Sequence, residues 1–209
     1  MRRIGQWGPS VGGASACVRL PLMLAVLVAG TALPSLSGWA ADSEDSADWP
    51  CPQPRAPNLT AGLFWEDPPI PADAHWQDDA ALVALIDAVT AHGVSVDEGS
   101  ARLAAFAEQL PQAARARVLP VLFAGLVARI DEQHRSAIAS IERLGRRQAA
   151  IAAKLRTLDT ATDEDSLEQR DLALRAYRGQ AQMMGALCHV PTELGARLGA
   201  YARVLHAAL

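Results

Sequence analysis

Apolar and neutral side chains recur with helical spacing from Val121 to Leu158, at Phe123, Leu126, Ile130, Ala137, Ile141, Leu144, Gln148, Ile151, Leu155 and Leu158. From Ala137 onward the steps alternate four and three, the 3.5-residue repeat of a helix lying along a partner helix. The run holds no Pro and only Gly125 and Gly145. A second run repeats the spacing at Leu167, Leu174, Tyr177, Ala181, Met184 and Cys188. Between them, residues 159–165 are polar and acidic. Thr162 is placed to cap the second helix, and Asp163, Glu164 and Asp165 complement the positive end of its dipole. A short turn between two such helices folds them back antiparallel. The pattern therefore predicts a hairpin of residues about 120–158 and 163–188, with Leu167 and Leu174 near Leu158 and Ile151. It brings Cys188 back to the level of Ala137 and leaves a tip, from Ile151 round to Leu167, far from other elements.

Shorter amphipathic segments flank the hairpin. Leu82, Leu85, Ile86 and Val89 share one face of a helix over Asp78–His92, which Gly93 ends. Ser95 and Glu98 have the spacing of a capping box for a second helix, with Leu103, Phe106, Ala107 and Leu110 on its buried side. Pro111 suits the start of a helix over Gln112–Leu119. Pro120, lacking an amide donor, is expected to kink or restart it. Pro191 is expected to open a last helix, with Leu194, Leu198, Tyr201 and Leu205 on one face. The sum is an all-α chain of five or six helices with no strand signal.

The N-terminal part has another character. Arg2, Arg3 and Arg19 precede or border the uncharged run Leu20–Leu33, and Gly38 and Ala40 stand at −3 and −1 before Ala41. This is the pattern of a signal peptide over residues 1–40, cleaved after Ala40, and implies a periplasmic or secreted protein. Residues 41–77 read as an arm, acidic up to Asp48 and then rich in Pro and Trp. So much Pro disfavours helix, while Trp49, Leu63, Phe64, Trp65, Ile70 and Trp76 suit an extended segment lying against the helices of residues 78–209.

Charge and cysteine content narrow the function. The chain has 19 basic and 23 acidic residues. Residues 1–40 contain three of the Arg and no acid, so the exported part carries a net charge of −7. That argues against non-specific nucleic-acid binding, which needs a basic face. Cys51 and Cys188 are the two cysteines beyond residue 40, and in an exported chain such a pair favours a disulfide over free thiols or a metal site. Met184, Cys188 and His189 could ligate copper(I) with Cys51, since thioether and thiolate are soft ligands. The bland alternative packs Met184, oxidises Cys188 and leaves His189 at a helix end. His134 falls beside the seam and reads as a partly buried polar residue that fixes register, or as a pH sensor. The five His form no His-x3-His pair, and no nucleophile, phosphate-loop or dinucleotide motif occurs.

Arg143, Arg146, Arg147, Lys154 and Arg156 make the long helix basic. Glu142–Arg146 and Asp131–Arg135 are spaced for ion pairs, and the remainder could meet an acidic partner or lipid headgroups. The segment Asp48-Trp49-Pro50-Cys51-Pro52-Gln53, followed by a helical chain with a late Cys, resembles small exported proteins of Gram-negative bacteria; the resemblance implies no activity. With a seam and no catalytic constellation, the sequence leads us to expect a non-enzymatic accessory or scaffold protein without a cofactor. It would bind another envelope protein through the hairpin, with homodimerisation and contact of Arg143, Arg146 and Arg147 with a membrane surface as further partner modes. A copper-binding or metallochaperone protein, or a maturation factor for a periplasmic redox enzyme, are the alternatives.

Overall fold

The structure is a computed structural model that describes residues 49–209 apart from residue 161. The signal peptide expected over residues 1–40, its expected cleavage after Ala40 and the acidic residues 41–48 of the arm lie outside the described residues. Regular structure among the described residues is all helical: α1 Ala80–Thr90, α2 Val96–Gln109, α3 Gln112–Thr157 and α4 Glu164–Ala207, preceded by two short 3-10 turns at Ala61–Leu63 and Trp76–Asp78. The all-α fold and the central hairpin follow the hydrophobic pattern.

Two prolines depart from their expected roles. Pro120 lies inside α3 and Pro191 inside α4, so neither breaks its helix. An internal Pro costs about 3 kcal/mol through one lost hydrogen bond and a clash with the carbonyl four residues back. Both prolines are buried, and the packed turns on either side outweigh that local cost. The expected five or six helices are therefore four among the described residues.

The caps also differ in detail. Asp79 accepts from the Ala81 and Leu82 amides and opens α1. The Ser95 hydroxyl accepts from the Glu98 amide at 3.1 Å, but the Glu98 carboxylate goes to Arg102 at 2.6 Å. Only the Ser half of the capping box thus forms. At α4 the cap is Asp163, not Thr162. Its carboxylate accepts from the Ser166 amide at 2.9 Å, and that bond holds the Asp163 carboxyl below its ordinary range. Gly93 ends the α1–α2 loop's first turn at φ 85°, a left-handed conformation that favours glycine.

The main core is a four-helix head. Ile86 and Val89 of α1, Leu103 and Ala107 of α2, Leu119 to Ile130 of α3 and Leu198 to Leu205 of α4 supply its fully buried side chains. Only the first half of α3 and the last half of α4 enter it. Leu59 and Trp65 join from the segment before α1. Trp65 stacks between Phe123 and His206, with ring centroids 4.8 and 4.0 Å away, and its indole N–H donates to the Pro68 carbonyl at 2.7 Å. The expected burial of Leu63 does not occur; it points to solvent from the first 3-10 turn while Phe64 and Trp65 face the helices.

Tyr201 ties three helices together. Its hydroxyl donates to the Val89 carbonyl at 2.9 Å, and the ring lies where a Cβ on Gly99 would stand. Burial raises the phenol above its ordinary range, against the opposing charges of Arg197 and Arg102. Tyr201→Phe should lower unfolding stability by about 1–2 kcal/mol, since the carbonyl loses a buried donor. Gly99→Ala should cost about 1–3 kcal/mol through overpacking. Urea unfolding of both variants and of the double variant should show a clearly sub-additive pair, because the two changes meet at the same atoms.

Candidate functional site

Cys51 and Cys188 form the disulfide that the sequence favours, with Cα atoms 5.6 Å apart across 137 residues of chain. Both cysteines are buried in a second small core with Ile141, Leu144 and Met184, covered by Trp49 and Leu187. This agrees with the register that returns Cys188 to the middle of the long helix. The Gln53 side-chain amide donates to the Cys188 carbonyl, and the Trp49 indole N–H donates to the Gln53 carbonyl at 2.7 Å. Arg55 pairs with Glu142 at 2.9 Å, and the Leu59 amide donates to Asp131 at 2.7 Å. Residues 49–65 are thereby laced along α3 and α4 by a covalent bond and charge-assisted hydrogen bonds.

This packing separates the copper candidates. Met184 fills the small core, Cys188 is oxidised and His189 is exposed. The three therefore do not converge, and the disulfide consumes the thiolates that a soft metal would need. No group of three or more His, Cys, Asp or Glu side chains is assembled for a metal ion among the described residues. No helix among them is long and apolar enough to cross a membrane.

His134 is more deeply placed than the sequence suggests, at 1% exposure on the inner face of α3. Its Nδ1 has no hydrogen-bond partner. Burial lowers its pKa below the usual histidine range, only partly opposed by the nearby Asp131 carboxylate. The folded state thus favours the neutral ring. Asp131 itself pairs with Arg135 at 3.0 Å, as its four-residue spacing foretells. Glu142 is engaged by Arg55 from the arm, a long-range partner that spacing along the helix could not reveal.

Beyond this point α3 and α4 run on as a two-helix hairpin. Gln148, Ile151 and Leu155 of α3 and its C-cap Leu158 are half-buried, as are Leu174 and Tyr177 of α4, while Ala173 is buried. The seam on α4 is thus Ala173, Tyr177, Gln180, Met184, Leu187 and Pro191. Leu167, expected beside Leu158, is instead 47% exposed, and Ala181 is exposed too. α4 starts at Glu164, so Leu167 belongs to its first turn. There the seam register turns Ser166 and Arg170, both half-buried, toward α3. Arg170 closes the tip by pairing with Asp159 at 3.0 Å. Arg143, Arg146, Arg147, Lys154 and Arg156 are all exposed.

Two surface features were missed by the sequence reading. A cleft of about 660 Å³ lies under the α1–α2 loop, bounded by Val94 and Val96 on that side and by Gln133, Val190, Leu194 and Arg197 on the long helices. Loop and long helices are joined there by hydrogen bonds from Gln133 to the Thr90 carbonyl, 2.9 Å, and from Arg197 to the Val94 carbonyl, 2.8 Å. Sequence offered no signal for this cleft, because its walls come from segments about 100 residues apart. The other feature is an outward-facing apolar row on α4 that includes Leu172 and Met183, 53% and 58% exposed. Its four–three spacing was legible, but the stronger inner seam masked it.

Removing the disulfide by Cys51→Ser with Cys188→Ala should lower stability by roughly 2–4 kcal/mol, read as a drop in the urea midpoint. The contribution of neutral His134 is fully present above its unfolded pKa of about 6.5 and fades as pH falls through the window below it. Thermal unfolding between pH 7.5 and 5 should therefore show a steeper loss for the native chain than for His134→Leu. Comparison with protein-family models, curated proteins and solved structures returns no match, so the functional reading rests on the site alone.

Proposed function

We propose that this chain is a non-catalytic accessory or scaffold protein of the periplasm that binds another envelope protein through its long hairpin. The single observation that carries this reading is a two-helix projection with exposed Leu167 and Leu172, extending past both core clusters. A hairpin of this kind contributes little to the stability of the head, whose core is complete without it. Exposed large apolar side chains on such an element suit a helix-packing contact with another protein. The signal pattern and the disulfide support an oxidising, exported location. Consumption of both thiolates in the Cys51–Cys188 bond weighs against the copper reading.

A photo-reactive amino acid placed at Leu167, Leu172 or Arg156 should yield one defined cross-linked adduct in intact cells. The same residue at exposed head positions such as Ala81 or Gln109 should not. Absence of any adduct, together with a monomer at high concentration by analytical ultracentrifugation, would overturn the proposal.

A further inference from the structure

The outward row on α4 is a second helix-packing face. Leu172, Ala176, Gly179, Met183, Ala186 and Val190 alternate steps of four and three. Each lies one residue before a position of the inner seam, so the row is turned from it by about 100°. All but Val190 are exposed, and a Cβ added at Gly179 would meet nothing. From Leu172 to Val190 the row is about 27 Å long at 1.5 Å per residue. At the head end it does not stop, because Val190 and Leu194 line the cleft under the α1–α2 loop.

The facing edge of α3 follows from the same repeat. Gln133 lines the cleft, and Ser140 borders a depression that contains Leu187 of α4. In a heptad-packed pair, residues seven apart hold the same place relative to the partner helix. Arg147 and Lys154, which continue Gln133 and Ser140 at seven-residue steps, therefore stand on this edge. Arg175, about 60° round the helix from the row, stands on the opposite flank. α3 has no carboxylate between Glu142 and Asp159, and α4 has none between Asp171 and Glu193, in a chain whose net charge is −4. Arg147, Lys154 and Arg178 pair with no described carboxylate, while Arg175 is held by Asp171.

We propose that this groove, with its apolar floor and cationic edges, docks an amphipathic helix of about 18 residues with acidic flanks, which adds a third helix to the hairpin. The small side chains Ala176, Gly179 and Ala186 let its backbone approach closely. The charge band selects its chemistry, since carboxylates beside its apolar stripe would meet Arg147 and Lys154 on the α3 edge, with Arg175, shared with Asp171, on the other. A second copy of this chain fits poorly: pairing through the row in either direction lays one cationic band on another. The inference rests on the partner-binding reading and goes further by placing the contact on the side of the hairpin rather than at its tip.

The test uses the purified protein with its disulfide formed and a labelled 18-residue peptide with Leu at the heptad core positions and Glu beside them. Fluorescence anisotropy should show saturable binding that weakens with salt, and no binding of the counterpart with Lys in place of Glu. Met183→Glu, and separately Arg147→Glu with Lys154→Glu, should each weaken binding about tenfold or more. These side chains are exposed, so circular dichroism and melting should be unchanged. Equal binding of both peptides, or insensitivity to both variants, overturns the proposal. So does a dimer that Met183→Glu dissolves, or binding to phosphatidylglycerol vesicles without binding to the Glu peptide. In cells, an adduct that survives unchanged in Met183→Glu removes this groove but leaves the accessory reading standing; loss of every adduct in the native chain removes the reading itself.

Discussion

Everything in this protein hangs on the packing of α3 against α4. These helices of 46 and 44 residues meet along their length in antiparallel register. One end of the pair is built into the head by Leu119 to Ile130 and Leu198 to Leu205. Its middle is pinned by a small core and a disulfide. Its far end is held by a half-buried seam and the Arg170–Asp159 ion pair. Stability therefore falls away along the hairpin from the fully buried head to the half-buried tip. A single repeated interaction does both jobs: it holds the fold and carries a surface away from it.

The segment before α1 acts as a lace on that pair. Trp65 inserts between Phe123 and His206, Arg55 and the Leu59 amide engage acids of α3, and Cys51 closes on α4. Such contacts, spread over residues 49–65, fix the two helices where the head ends and the projection begins. The outward row on α4 is exposed from Leu172 to Ala186. Because the disulfide oxidises the very thiols that a metal would need, this brace and a copper site are mutually exclusive uses of Cys188.

Much of this was legible in the chain, for identifiable reasons. The four–three seam, the acidic turn and the pairing of Cys51 with Cys188 all follow from local period and redox context. What misled was each rule taken alone. Pro120 and Pro191 look like breaks because a single helix cannot repay the lost donor, yet long helices with buried neighbours can. Leu167 looks like a seam residue because it is apolar and correctly spaced, yet the register that faces Ser166, Arg170, Ala173 and Tyr177 to α3 turns it outward. Thr162 and Asp163 both suit a cap, and only the placement of the first turn chose Asp163.

The sequence by itself determined the helical class, the hairpin and the level at which its arms meet, since these depend on periodicity, which is local and additive. The tertiary structure alone decided which of two apolar stripes on α4 would be covered. Both stripes have helical spacing, and the hydrophobic effect is blind to direction. The choice fell to α3, which packs on one and leaves the other, with Leu172 and Met183, facing out. It likewise decided the cleft under the α1–α2 loop, the burial of His134 and the pairing of Glu142 with Arg55. Each of these depends on groups brought together from distant parts of the chain.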